Sequence, residues 1–120
     1  MKLYHTPEAA EIAGITERQI AHWIKIGVAH PTRSASGSGS QIGWSREDVA
    51  KLATIGRLAR LSVSGKGGGL PRGMWTILDE PGDVLVIAGH QPIAADRGEV
   101  PDLVREFPAL IVINRVRPVL

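Results

Sequence analysis

The first 65 residues carry apolar side chains at the spacing of three amphipathic helices. Positions i, i+3 and i+4 recur, so each predicted helix presents one apolar face to a core. The third helix has the broadest apolar stripe and is the strongest helix of the chain. The apolar positions are Ala9, Ile12 and Ala13 in the first helix, Ile20, Trp23 and Ile24 in the second, and Val49, Leu52, Ala53, Ile55, Leu58, Ala59 and Leu61 in the third.

Capping residues indicate where the first two helices begin and end. Thr6 is predicted to cap the first helix, and Gly14 suits a left-handed stop after it. Thr16 and Gln19 stand at the positions of a capping box, so the second helix starts about three residues after the first ends. Gly27 is predicted to end it. Two short helices joined by a tight glycine-containing turn predict a helix-turn-helix.

The segment from Val28 to Ser45 is extended and rich in serine and glycine. We interpret it as a two-stranded wing with a flexible tip. Ser45 and Asp48 then match a second capping box, which starts the third helix and extends it to about Leu61. Residues 1–64 are thus predicted to form a winged helix-turn-helix.

The tail is predicted to form a small, β-rich module over residues 74–120, after a glycine-rich linker over 65–73. The predicted fold class is therefore α+β, with a three- or four-stranded sheet and one short helix in the tail. The predicted elements are a hairpin of Trp75–Leu78 and Val84–Ala88 around a turn at Glu80–Asp83, a strand at Ile93–Asp96, one or two helical turns between Pro101 and Phe107, and a strand over Ala109–Ile113.

Two continuous apolar runs, 84–88 and 109–113, lie in this small tail. A strand that is apolar at every position is buried on both faces, which in so small a module indicates a partner subunit. The predicted dimerisation residues are Val84, Val86, Ile111 and Ile113.

Charge separates the same two regions. The formal net charge is only +2, but residues 1–70 hold nine Lys and Arg against five acids, whereas residues 71–120 hold five Arg against seven acids. The basic excess therefore lies in the predicted winged helix-turn-helix, where a protein that reads a polyanion needs it.

Composition excludes several classes of protein. The absence of cysteine excludes disulfide frameworks and thiolate zinc sites. The four histidines have no metal-binding spacing, and no nucleophile stands beside a base, so we expect neither a cofactor, nor a metal, nor enzymatic activity. We also expect a cytoplasmic, nucleoid-associated protein without a membrane partner, because no signal peptide and no apolar run near ~18 residues is present.

Taken in order, residues 3–64 resemble the DNA-binding domain of MerR-type regulators. The wing sequence Gly37-Ser38-Gly39-Ser40-Gln41 is similar to one branch of that family. The matching segments are Ala9-Ala10-Glu11-Ile12-Ala13-Gly14-Ile15-Thr16, Arg18-Gln19-Ile20-Ala21-His22-Trp23, Gly27-Val28-Ala29-His30-Pro31 and Trp44-Ser45-Arg46-Glu47-Asp48-Val49.

The resemblance implies that the second helix enters the major groove of double-stranded DNA and that the wing follows the backbone or the minor groove. Arg18, Gln19 and His22 then face base edges. Phosphate contacts are expected from Thr16, Lys25, Arg33 and the wing residues Ser38, Ser40 and Gln41. Trp23 and Trp44 are expected in the core instead, because of their helical and capping positions.

Three positions depart from the family pattern. Family members usually have arginine at Ala21, an aromatic residue at His22 and often arginine at Ile42, so the phosphate contacts made there by relatives do not carry over. Most relatives also extend the third helix into a dimerising coiled coil, which the glycines after Ser64 prevent here. Dimerisation is therefore expected to use the tail.

These observations predict a sequence-specific DNA-binding transcription regulator that acts as a homodimer and represses by occupancy, without a small-molecule effector. The first alternative is an excisionase-like architectural factor for recombination, since those proteins also use a small winged helix. The second is a protein-interaction adaptor that no longer binds DNA, which Ala21 and Ile42 suggest.

Overall fold

A computed structural model describes residues 2–34, 42–61, 73–88, 91–106 and 110–118. Within these ranges the chain forms an α+β fold, which confirms the predicted class. Strands β1 and β2 form a two-stranded sheet, and the other three form an antiparallel sheet in the order β4-β3-β5. The elements are β1 (Tyr4–His5), α1 (Thr6–Ala13), α2 (Glu17–Lys25), β2 (Gly43–Trp44), α3 (Arg46–Leu61), α4 (Met74–Ile77), β3 (Val84–Ala88), β4 (Gln91–Ala95), a 3₁₀ turn (Arg97–Glu99), α5 (Val100–Glu106) and β5 (Leu110–Asn114).

The helix-turn-helix is confirmed, and local hydrogen bonds explain its tight turn. Gly14 has φ of 73° and ends α1 in the left-handed conformation. The capping box is complete: Thr16 Oγ1 accepts from the Gln19 amide at 3.0 Å, and Gln19 Oε1 accepts from the Thr16 amide at 2.9 Å. The second helix therefore begins where its own cap places it, three residues after α1.

The prediction for the start of the first helix is wrong. His5, not Thr6, is the N-cap residue, and Thr6 is the first residue of α1. The hydroxyl of Thr6 has a tertiary partner, because it accepts a hydrogen bond from Trp44 Nε1 at 3.0 Å. The residues before the helix are held by the sheet, in which Tyr4 pairs with Trp44 and His5 with Gly43.

The third helix is confirmed over Arg46–Leu61, and its predicted capping box is present. The Asp48 amide donates to Ser45 Oγ and the Ser45 amide to Asp48 Oδ2, both at 3.1 Å. Buried apolar side chains of α3 pack against α1, α4 and the tail sheet. Nine of the sixteen residues of this helix are buried, all of them between Asp48 and Leu58.

Gly56 allows the turn of the helix-turn-helix to lie directly on α3. A Cβ atom at this position would lie 2.6 Å from Ile15 Cγ2, closer than real side chains approach. Ile15 stands between α1 and α2 and belongs to the core. Glycine in the middle of α3 thus brings the backbone of one element against a side chain of the other.

We expect Gly56→Ala to lower the free energy of unfolding by about 1–3 kcal/mol, because the added methyl group overpacks the contact with Ile15. Helix propensity alone predicts the opposite sign, a gain of ~1 kcal/mol. Gly98→Ala is the matched control, since no atom lies within 4 Å of its Cβ position. Thermal unfolding measures both variants, and equal stabilisation of the two would contradict the proposed contact.

The predicted hairpin strand at Trp75–Leu78 is wrong, because this segment is the helical turn α4. Its apolar residues Met74, Trp75 and Leu78 lie on one helical side and enter the core. Trp75 packs edge-on against Trp44, with the ring centroids 6.1 Å apart. The prediction failed because a short, mainly apolar segment fits a strand and a buried helical turn equally well.

Strand β3 lies in the middle of the tail sheet, and all five of its residues are buried. Leu85 and Ile87 point into the large core shared with α3, while Val84 and Val86 point into a second cluster beneath α5. The chain itself therefore covers both faces of the apolar run. Burial on both faces, which was the reason for predicting a partner subunit, is achieved within one chain.

One hydrophobic cluster joins the helix-turn-helix to the tail. It contains residues from α1, α2, β2 and α3 together with Met74, Trp75, Leu78, Leu85, Ile87 and Ile113. The predicted division into residues 1–64 and 74–120 thus separates two parts that share a core. Most of the predicted linker, residues 65–72, lies outside the described ranges.

Polar contacts from the end of the tail complete this packing. The Arg115 guanidinium donates to the carbonyl oxygens of Leu78, Glu80 and Gly82, at 2.6, 2.6 and 3.0 Å. Its burial, together with the charge of Arg117, lowers the pKa of Arg115 below its ordinary value. Arg115 remains the charged donor that ties the last strand to the turn after α4.

Candidate nucleic-acid interface

Helix α2 presents a polar stripe of Arg18, His22 and Lys25 on the side opposite the core. All three side chains are exposed, whereas Ile20 and Trp23 on the other side are 0% and 4% exposed. Positions i, i+4 and i+7 lie on one face and span about 10 Å of helix. The buried face fixes the direction in which the polar stripe points.

The three side chains of this stripe make no hydrogen bond or ion pair with any other residue in the described ranges. Their donors are available to an external acceptor. Two of them, Arg18 and Lys25, carry full positive charges at neutral pH. Ala21 is exposed between them, so a short side chain lies at the centre of the surface.

Thr16 and Gln19, which were predicted to contact DNA, have a structural task. Each accepts a hydrogen bond from the backbone amide of the other, and Gln19 is half-buried. The Gln19 carbonyl oxygen is therefore engaged at the helix start, and its amide nitrogen is the group left for an external partner. The first turn of α2 is rigid because of this cap.

The wing begins beside a short antiparallel bridge. The Arg33 amide donates to the Gly43 carbonyl at 3.0 Å, and the Gly43 amide donates to the Arg33 carbonyl at 2.8 Å. The Arg33 side chain is exposed. The other predicted wing residues, Ser38, Ser40 and Gln41, lie outside the described ranges, as does the tip between them.

Gly43 stands between two neighbouring chain segments at the base of the wing. A Cβ atom there would lie 2.8 Å from Leu3 Cδ1 and 3.4 Å from Arg33 Cβ. On the other side Gly43 pairs with His5. The predicted second strand of the wing thus pairs with Arg33 on one side and with the N-terminal strand β1 on the other. Sequence patterns did not reveal the pairing with β1.

A buried carboxylate holds the chain that leads into the wing. Asp48 is 7% exposed, and its Oδ2 atom accepts hydrogen bonds from the Thr32 amide at 3.0 Å and from the Thr32 hydroxyl. The same oxygen accepts the capping bond from Ser45. Asp48 therefore joins the start of α3 to the residue next to Arg33. Sequence reasoning found its capping role but not its bond to Thr32.

A second cross-link holds the turn between the two helices. Arg60 Nη2 donates to the Gly14 carbonyl at 2.8 Å, across 46 positions of the chain. Together with the Ile15 contact at Gly56, this bond fixes the helix-turn-helix on α3. Helix α3 therefore positions this surface at two places. One is the turn between α1 and α2, and the other is the wing base, where Arg33 pairs with Gly43.

The predicted dimerisation residues do not form one surface. Val84, Val86 and Ile113 are buried inside the chain, whereas Ile111 is 42% exposed. Within the described ranges no three side chains of His, Asp or Glu gather as metal ligands. No helix in those ranges is both long and apolar enough to cross a membrane.

A helix-turn-helix whose second helix presents an exposed stripe of Arg18, His22 and Lys25 is typical of a class of DNA-binding proteins. Residues 4–66 match the model of the MerR HTH family of regulatory proteins. The match covers more than half of the chain, and the protein belongs to this family. The resemblance seen in the sequence is confirmed.

Uncharacterized HTH-type transcriptional regulators of Mycobacterium bovis and Mycobacterium tuberculosis are similar to part of the chain. Each is 42% identical to the chain over 62 residues, which is 51% of this chain and 28% of the relative. A regulator from a second strain of Mycobacterium tuberculosis matches equally well. The match thus spans little more than a quarter of the length of these relatives.

Proposed function

We propose that this protein binds a specific sequence in double-stranded DNA as a homodimer and represses transcription by occupying its operator. The observation that carries the proposal is the stripe of Arg18, His22 and Lys25. Its side chains are exposed and lack partners within the described ranges, and they stand on a helix anchored by buried Ile20 and Trp23. A helix oriented in this way presents donors at the depth of a major groove.

The side chains divide into two roles by position and chemistry. Arg18 is the second residue of α2, at the end where a recognition helix meets base edges, and arginine donates two hydrogen bonds to guanine; His22 follows one turn later on the same face. Lys25 at the end of α2 and Arg33 at the wing base suit phosphate oxygens. Gln19 supports base reading with its amide nitrogen, since its oxygen is bound in the cap.

Repression by occupancy fits a protein in which the stripe of Arg18, His22 and Lys25 serves DNA binding. A bound dimer covers its operator and excludes other proteins from it. Two recognition helices then read half-sites about 10 bp apart or a multiple of this distance. We propose no small-molecule effector and place the protein in the cytoplasm, on the nucleoid.

A salt titration tests the DNA-binding part of the proposal. Selection from random double-stranded DNA supplies the preferred site. The dissociation constant for that site is then measured at salt concentrations between about 50 and 300 mM. Over this range each phosphate contact changes the affinity by about one order of magnitude or less. Phosphate contacts by Lys25 and Arg33 give a log–log slope of about −1.8 per protomer, at about −0.9 each. A slope near zero, or no enriched sequence, would contradict it.

Circularly permuted DNA fragments separate the regulator from the architectural alternative. A strong bend and cooperative filling of several adjacent sites would favour the excisionase-like factor. A single operator with two half-sites and little bending supports the repressor.

A further inference from the structure

The tail sheet has two edge strands, and the ladder register shows which backbone groups each edge presents. The Arg115 amide donates to the Asp83 carbonyl, so this pair is a hydrogen-bonded one. Hydrogen-bonded pairs alternate along an antiparallel ladder. Given the β3–β5 register, Ile111 and Ile113 therefore bond to β3, while the amides and carbonyls of Leu110 and Val112 point outward.

The edge at β4 is blocked against further pairing. Since Val84, Val86 and Ala88 direct their backbone groups to β4, Pro92 is an outward-facing position of that strand. Proline has no amide hydrogen, and its presence on an edge prevents another strand from adding there. One of the two edges of the sheet is thus protected.

Within the described ranges, the edge at β5 has no such protection. Residues 110–114 contain no charge and no proline, and four of the five are Leu, Ile or Val. Ile111 is 42% and Val112 38% exposed, one on each face of the sheet. An apolar, uncharged edge with outward amides and carbonyls is the kind that accepts another strand.

We propose that β5 pairs antiparallel with β5 of a second copy, and that this pairing forms the homodimer of the proposed function, on which the inference rests. A two-fold axis at Ile111 opposes Leu110 to Val112 of the second copy, and Val112 to Leu110. Each opposed pair exchanges two hydrogen bonds, and the two three-stranded sheets become one sheet of six strands.

Two features favour a second copy and this register. An axis at Ile111 leaves the outward carbonyl of Asn114 with its partner, Arg57 Nη1 at 3.1 Å. It also brings the two Ile111 residues together at a non-hydrogen-bonded position, where side chains lie closest. The strand is complementary to itself in this arrangement, as a two-fold interface requires, and it carries no charge that would select a different partner.

Sedimentation of the full-length chain without DNA tests the pairing. The wild type is expected at twice 12.8 kDa at micromolar concentration. Val112→Pro places a proline on β5, as Pro92 does on β4, and Val112→Lys adds a charge at the same edge. Each variant is expected to raise the dimer dissociation constant at least about tenfold. Gln91→Lys makes the same change in charge at an exposed residue of β4 and is expected to sediment as the wild type does.

Amide hydrogen exchange gives a readout that does not depend on the variants. The outward amides of Leu110 and Val112 are expected to gain protection as protein concentration rises, while those of Ile111 and Ile113 stay protected throughout. Three outcomes would each overturn the pairing. The first is a wild type that is monomeric at ~100 μM, and the second is an equal dissociation constant for wild type, Val112→Pro and Val112→Lys. The third is exchange at Leu110 and Val112 that does not depend on protein concentration. Because DNA is absent, none of these results bears on DNA binding, which the salt titration tests separately.

Discussion

Replacement of Arg18 by alanine is expected to weaken binding to the preferred DNA site by about 10- to 100-fold, since a bidentate base contact contributes ~1–3 kcal/mol. Binding to unrelated DNA should weaken much less, so the ratio between the two affinities falls. Arg18→Lys keeps the charge and loses the paired donors. It is expected to lose the same discrimination while keeping the salt dependence.

Two control variants distinguish base reading from general charge. Lys25→Ala, at the other end of the stripe, is expected to weaken all DNA sequences alike and to reduce the salt slope by about 0.9. Arg105→Ala removes an exposed arginine from α5 and should change neither affinity nor slope. If charge reversal at Arg18 and Arg33 leaves the function of the protein intact, the adaptor hypothesis is favoured instead.

Asp48→Ala is expected to lower the free energy of unfolding by about 2–4 kcal/mol. The substitution removes the acceptor for the Ser45 amide and for both donors of Thr32, in a site that is 7% exposed. The buried Ser45 amide left without a partner and the lost charge-assisted bonds to the part-buried donors of Thr32 account for the loss. Chemical denaturation measures it, and amide exchange at Thr32, Arg33 and Gly43 is expected to accelerate with it.

Neighbouring residues provide matched controls for this prediction. Ser45→Ala removes only the cap of α3 and is expected to lower stability by ~1 kcal/mol. Glu47→Ala changes an exposed carboxylate in the same helical turn, with an effect within about 0.5 kcal/mol. Asp48→Ala should also weaken DNA binding more than Ser45→Ala does, because it releases the wing base. Equal effects of Asp48→Ala and Ser45→Ala would show that the bond to Thr32 contributes nothing.

The helices of the N-terminal region were predictable because their signals are local. Gly14 ends α1, and the capping boxes at Thr16 and Ser45 start α2 and α3, each through groups no more than three or four residues apart. The exposed stripe of α2 followed from the same periodicity. Arg18, His22 and Lys25 were therefore expected on the exposed face, and the family resemblance implied base contacts for Arg18 and His22 and a phosphate contact for Lys25.

Predictions failed where a residue has a partner far along the chain. Threonine is a residue type that often caps helices, but the hydroxyl of Thr6 accepts a hydrogen bond from Trp44, 38 positions away. Trp75–Leu78 fits a strand by composition, but its packing against Trp44 and the tail sheet favours a helical turn. Thr32 carried no signal of its bond to Asp48. Local patterns contain no information about such contacts.

The sequence by itself determined the helix-turn-helix, its caps and the polar face of its second helix, because interactions within a few residues decide them. Tertiary structure alone decided how that face is held. Asp48 joins α3 to the wing base, Gly56 admits Ile15, and the packing of α5 on β3 buries Val84 and Val86 within one chain. Among the described strands, β5 lies at an edge of the sheet, and this too only the tertiary structure decided, since strand order depends on contacts that no short segment specifies.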